Sequence, residues 1–339
     1  MANLKDVAER TGLSINTVSR ALRGHGYVSV EAQQKVHKAA AELGYTPNRA
    51  ARSLRSKRNF EIAVLVFIGR DENAKCDSLN MDKIIGIKSF LGSHGYEMNL
   101  HFIFSASNYS SSCKHEMKAV FLSRPSGVII IGNSAQQLGM AASCEANSLP
   151  VVLISYSNLP NFDCVFIDRE QGVYDAVDYL YRQGRRQIVF VGSDQCRGRV
   201  TGYRKGIAFH GLNEYLIPVS NYSKDGLEKI FDHGIATARL ITETLPETDA
   251  IQAYSDYLAA GLAAGFAEQG KQIPRDIAIV GFDDRELAAF VTPQLTTLAQ
   301  PNAKAGQLAA ELMLRRINNK NHGIEAVKVP MSLVIRKST

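Results

Sequence analysis

The sequence predicts an α/β protein: a small, basic helical head on a two-lobed body built from parallel sheets. Three observations carry this. The stretch LKDVAERTGLSINTVSRALR (4–23) reads as two short helices joined by a tight turn. Residues 1–58 hold eleven Lys and Arg against four Asp and Glu, net +7, and the remaining chain holds 28 against 29. From Phe60 onward, apolar strand-like runs alternate with helical stretches, the pattern of a parallel sheet covered on both faces.

In the head, Asn3 is placed to cap the first helix, with Asp6 complementing its N-terminus. Leu4, Val7 and Ala8 share one face. Gly12 permits the reversal and Ser14 caps the second helix, in which Val18, Ala21 and Leu22 point inward. Asn16, Arg20 and Arg23 fall on the opposite face at i, i+4 and i+7. An amide and two guanidiniums on one exposed face suit base edges and phosphates, because Arg pairs with guanine and Asn with adenine. A helical hairpin with a solvated polar face is the bland alternative. Ser29 caps a third helix, EAQQKVHKAAAEL, which Gly44 ends. The concentration of positive charge in this first sixth is the footprint of nucleic-acid binding. A solvated basic linker would not account for the ordered helical pattern.

A short helix is predicted from Pro47 to Ser56, with Pro47 at its first position. Ala50, Ala51 and Leu54 form a narrow face away from Arg49, Arg52 and Arg55. A helix of about ten residues is marginal alone in water and needs a partner helix, DNA or both.

DVAERTGLSINTVSRAL (6–22), LGYTPNRAARSLRS (43–56) and the downstream GFDD (281–284) resemble the LacI/GalR family of bacterial transcription regulators. The first two motifs, in this order and spacing, are highly specific, and the resemblance spans nearly the whole chain. It implies a headpiece at 1–46, a hinge helix and linker at 47–59, and a periplasmic-binding-protein-like effector-binding and dimerisation body at 60–339. It implies a palindromic double-stranded DNA operator, a homodimer, and hinge helices paired in the minor groove with a leucine wedged between base steps. Leu54 stands at that wedge position, with Arg55 beside it. The candidate DNA-contacting set is Ser14, Ile15, Asn16, Thr17, Arg20, Arg23, Tyr45, Leu54 and Arg55.

The family's fold implies three chain passages between lobes. The first lobe is expected at about 60–161 and 292–323, the second at about 162–291 and 324–339. Strands are expected at 62–68, 96–104, 127–131, 150–155, 165–168, 187–192, 216–219, 250–255 and 276–284, ending in a strand pair within 326–338. Open parallel sheets bind ligands beyond the carboxyl ends of their strands. GRVTGYRKGI (198–207) matches the family's helix start, so Arg199 is expected to hold effector hydroxyls or a carboxylate-like edge. Asp283 of GFDD is the expected acceptor on the opposite wall; such a pair recognises polyols. An interlobe salt bridge and a helix-capping carboxylate are the structural alternatives. Asn80, Ser155, Tyr156, Tyr222 and Ser255 complete the candidate effector set. Ser155 replaces an aspartate of well-known relatives, and Leu79-Asn80 replaces a usual aromatic pair, so the effector itself is left open.

Other chemistry is poorly supported. GFAEQGKQ (265–272) approaches a phosphate-binding loop, but Gln272 replaces the magnesium-holding hydroxyl and the segment ends a helix instead of opening one. His115-Glu116 lacks a second histidine, and there is no G-x-S-x-G. Cys76, Cys113, Cys144, Cys164 and Cys196 form no CxxC, arguing against zinc and a disulfide framework. No apolar run reaches membrane-span length, no signal core opens the chain and no leucine heptad closes it. The expectation is therefore a cytoplasmic, dimeric, ligand-responsive repressor without catalytic residues, metal or cofactor, its effector a sugar or sugar derivative. The other classes weighed are a sugar-binding receptor without DNA function, which would lack the basic head, and a sugar or nucleotide enzyme using the GFDD carboxylates, which turnover assays would reveal.

The wedge reading makes a prediction. Leu54→Ala should weaken specific DNA binding more than non-specific binding, because only the kinked site accepts the side chain. Amide exchange across 47–56 should show protection that appears with operator DNA; full protection in the free protein would remove a hinge that folds on DNA.

Overall fold

The computed structural model describes residues 2–22, 28–45, 59–68, 78–104, 109–132, 135–193, 197–219, 226–319 and 323–339. The hinge helix expected at 47–56 lies outside them, as do Arg23, Leu54, Arg55 and Tyr222.

The head forms three helices: α1 (Leu4–Thr11), α2 (Ile15–Ala21) and α3 (Val30–Glu42). Their limits follow from local chemistry. The Asn3 side chain accepts from the N–H groups of Lys5 and Asp6, and the Asp6 carboxylate accepts from the Asn3 N–H, a complete capping box. Gly12 ends α1 in the left-handed conformation at φ 67°. Ser14 and Ser29 cap α2 and α3. Val7, Val18, Ala21, Val36 and Ala39 are buried together between the three helices.

The body contains two six-stranded sheets. The first has the order β11-β5-β4-β3-β1-β2 and is wholly parallel. Its strands are β1 (Glu61–Ile68), β2 (Glu97–Phe104), β3 (Gly127–Ile131), β4 (Val151–Ser155), β5 (Asp163–Asp168) and β11 (Ala326–Pro330). The second has the order β12-β10-β9-β8-β6-β7: β6 (Ile188–Gly192), β7 (Tyr215–Pro218), β8 (Ala250–Ala253), β9 (Ala278–Asp283), β10 (Thr296–Ala299) and β12 (Ser332–Val334). Within it only β12 runs antiparallel, against β10. Alternate residues of β1 enter different cores: Ile62, Val64 and Val66 on one face, Ala63 and Leu65 on the other. This explains the uninterrupted apolar runs of these strands, since both sheet faces are covered.

Helices α4 (Ser78–Ser93), α5 (Tyr109–Ser123), α6 (Ala135–Ala146) and α12 (Asn302–Asn318) belong to the first lobe. The second is covered by α7 (Arg169–Arg182), α8 (Arg197–Phe209), α9 (Gly226–Thr244), α10 (Asp256–Glu268) and the short α11 (Leu287–Phe290). In α7, Val173, Ala176, Val177 and Leu180 are buried at helical spacing. The near phosphate-loop segment closes α10, where Gly270 adopts φ 76°. Among the described residues no helix is long and apolar enough to cross a membrane.

The sheets correct the expected lobe boundaries. β5 joins the first sheet beside β4, not the second lobe, and β10 joins the second sheet, not the first lobe. The C-terminal strands are no hairpin: β11 pairs in parallel with β5, and β12 crosses to the other sheet. The chain therefore passes between lobes after Asp168, near Gln300–Pro301 and at Pro330–Met331. A buried ion pair fixes the edge of the first lobe: the Asp163 carboxylate accepts from Arg316 Nε of α12 and from the Glu325 N–H before β11.

Candidate functional site

Two surfaces gather the predicted residues. On the head, α2 turns Ile15, Asn16 and Arg20 outward, with Ile15 42% exposed, while Val18 and Ala21 are buried beneath them. Ser14 and Thr17 are held by the cap itself. Ser14 Oγ accepts from the Thr17 N–H at 3.1 Å, and the two hydroxyls lie 2.8 Å apart. Tyr45 is half-buried against the head core, and its N–H donates to the Ala40 carbonyl at 2.8 Å.

The second surface is a cavity of about 280 Å³ between the lobes, at the small end of ligand pockets. Its walls are the carboxyl ends of strands from both sheets. Phe67, Ile131, Ser155 and Ile167 come from β1, β3, β4 and β5; Tyr254 and Ser255 follow β8, Asp283 ends β9 and Gln300 follows β10. Asn80, Ser155, Tyr156, Arg199, Ser255 and Asp283, six of the seven effector candidates, all line it.

Arg199 and Asp283 are neighbours on one wall, not partners on opposite walls. Both belong to the second lobe, and Arg199 Nη2 lies 3.6 Å from Asp283 Oδ1. Arg199 also donates to the Tyr254 carbonyl at 2.9 Å and is packed between the rings of Tyr254 and Phe282, 4.2 and 3.9 Å from their centroids. The GRVTGYRKGI segment shows why this residue is so placed. Gly202 of α8 faces α7, where a Cβ would overlap the Glu170 carbonyl. Tyr203 is buried, with its hydroxyl within 2.9 Å of the backbones of Ile188 and Tyr215. That anchoring leaves Arg199, one turn earlier, directed into the cavity.

Asp283 has φ 105°, outside the range a side chain normally tolerates. Its carboxylate accepts from Gln300 Nε2 and lies 3.9 Å from Arg285. Burial pushes its pKa up, opposed by the guanidiniums of Arg199 and Arg285. The turn that holds it rests on Asp256, the first residue of α10. Asp256 accepts from Thr297 Oγ1 at 2.5 Å and from the Arg285 N–H at 2.6 Å. Gly281 is required beside it, because a Cβ there would overlap the Asp256 carboxylate.

Ser155 and Ser255 are partly occupied by structural roles. Ser155 donates to the Ser157 carbonyl at 2.6 Å, and Ser255 caps α10 by accepting from the Leu258 N–H. The lining residues absent from the sequence reading include three cations, Lys83, Arg169 and Arg285, and the amide Gln300. The signal for Arg169 was its place directly after a strand end, at the first position of a helix. For Arg285 it was adjacency to GFDD.

This architecture, a three-helix head and a two-lobed body with a polar interlobe cavity, defines a DNA-binding transcription regulator with an effector-binding body. Residues 3–48 match the model of the lacI family of bacterial regulatory proteins, and residues 177–339 match a periplasmic binding protein-like domain. It is 29% identical to the HTH-type transcriptional repressor CytR of Escherichia coli (strain K12), over 100% of this chain and 96% of that protein. It is 28% identical to the ribose operon repressor of Haemophilus influenzae (strain ATCC 51907 / DSM 11121 / KW20 / Rd), over 100% and 98%. The structure of the Lac repressor bound to ONPG in the repressed state superposes with a TM-score of 0.72 at 25% identity, over 100% of this chain and 99% of that one. These relatives are repressors, not enzymes.

Asp256 makes a pH prediction. Burial raises its pKa from 3.8 to about 7, against the hydrogen bonds from Thr297 and Arg285. The native state then binds this proton more tightly than the unfolded chain, so the group's contribution to stability falls as pH rises from about 4 to about 7. Each unit is worth about 1.4 kcal/mol. Urea titrations at pH 5 and pH 8 should show a loss larger by roughly 2–3 kcal/mol in wild type than in Asp256→Asn.

Proposed function

We propose that this chain is a homodimeric, cytoplasmic repressor that binds a palindromic operator through α2 and answers to a small polyol, a sugar or sugar derivative, held in the interlobe cavity. The observation that carries the effector reading is the convergence of Arg199, Asp283 and Gln300 at strand ends facing Asn80, Ser155 and Tyr156. A guanidinium, a carboxylate and an amide within one small cavity supply the donors and acceptors that several hydroxyls need. Repressor action is supported by the relatives' names, and DNA binding by the basic head.

On this reading Ile15, Asn16 and Arg20 read bases. Asn16→Ala and Arg20→Ala should each cost about 1–3 kcal/mol at particular base pairs. A uniform loss across sequences would make them phosphate contacts. Operator affinity should fall steeply as salt rises, since the head releases counterions from the duplex.

The effector test is a thermal-shift screen of sugars and nucleobases. A ligand at one hundred times its Kd adds about 2.7 kcal/mol to stability. Arg199→Ala and Asp283→Ala should abolish operator response to any hit while retaining operator binding. Unchanged effector affinity in both, measured by calorimetry, would refute the assignment.

A further inference from the structure

The described lining of the cavity is rich in cations. Among the described lining residues, Lys83, Arg169, Arg199 and Arg285 face a single carboxylate, Asp283. Three further carboxylates among the described residues are engaged elsewhere: Asp284 with Arg336 at 2.7 Å, Asp168 with Lys328 at 2.8 Å, and Glu170 with Lys205. Asp256 lies behind the wall, bonded to Thr297 and the Arg285 backbone.

Arg169 shows where an anion would be held. It opens α7, and its guanidinium stands 4.3 Å from the centroid of the Tyr156 ring. Nη2 donates to Gln300 Oε1 at 2.8 Å. Its Nε and Nη1 are buried with no hydrogen-bond partner. Unmet donors on a buried cation are costly, and the cost is recovered when an oxyanion accepts from them. Burial, with Arg199 nearby, also pushes its pKa down to about 10, the direction an incoming anion would reverse. Packing alone could have been served by an apolar side chain at this position. The ring and Gln300 instead fix a charged group in the cavity wall.

We propose that the effector is an anionic polyol, a small sugar-like molecule bearing a carboxylate or a phosphate, with that group seated against Arg169 and its hydroxyls shared between Arg199 and Asp283. This rests on the cavity being the effector site, as argued above, and adds the ligand's charge.

Calorimetry on the full-length protein at fixed ionic strength provides the test. The probes are matched sets: ribose, ribose 5-phosphate and ribonate; glucose, glucose 6-phosphate and glucuronate; and inorganic phosphate alone. At least one anionic member should bind tenfold or more tighter than its neutral partner, and comparing phosphate with carboxylate identifies the group. In Arg169→Gln that ratio should fall at least tenfold, with partial recovery in Arg169→Lys. A neutral member that binds as tightly as its anionic partners overturns this inference and leaves the polyol-responsive reading intact. Inorganic phosphate binding as tightly as the sugar phosphates would overturn the polyol part. Binding by none of the probes counts against both. The wild-type ratios decide the matter even if the variants fail to fold.

Discussion

The cavity depends on a carboxylate that does not line it. Asp256 joins three elements at one point: it opens α10, accepts from Thr297 in β10, and accepts from the backbone of Arg285 just beyond β9. The turn after β9 is thereby fixed, and with it the φ of 105° that aims Asp283 inward. Gly281 lacks a Cβ because the carboxylate occupies that space. One buried, hydrogen-bonded acid thus explains why the sequence reads GFDD at this strand end. The same acid is costly to keep ionised, as its raised pKa records.

What was legible in the sequence was local. Asn3, Ser14, Ser29, Gly12 and Gly44 act within a turn of themselves, and the structure puts each at the helix end its chemistry requires. The apolar runs of the strands were equally clear. Which sheet each strand joins was not, because pairing is non-local: β11 and β12 are separated by Met331 alone, yet hydrogen-bond in different lobes. The site divides in the same way. Arg199 and Asp283 stood in recognisable motifs. Arg169 and Gln300 meet across 131 residues of chain, and neither segment marks the encounter. Arg199 and Asp283 fell on one wall because α8 and β9 both belong to the second lobe, a placement that only the sheet order reveals.

The distribution of charge between the walls bears on how the lobes respond to a ligand. Arg169, Arg199, Arg285 and Asp283 all come from the second lobe, and Lys83, Asn80, Ser155 and Tyr156 from the first. Contacts that span the gap among the described residues include Arg285 donating to Ser78 Oγ at 2.8 Å and Arg169 stacking on Tyr156. Ser78 is exposed, and so is Tyr156, at 60%. Contacts of this kind contribute on the order of 1 kcal/mol each.

A ligand that touches both walls therefore has leverage. Moving a two-state equilibrium from 1:99 to 99:1 needs about 5.5 kcal/mol of differential affinity. A charge-assisted hydrogen bond contributes about 1.5–3 kcal/mol, so about two to four of them, formed only when the walls approach, are enough. Linkage then requires that operator DNA and effector alter each other's affinity by the same factor. The effector need not approach the head: its influence is set by how differently the open and closed bodies hold it, and in this cavity that difference resides in charges carried mainly on one wall.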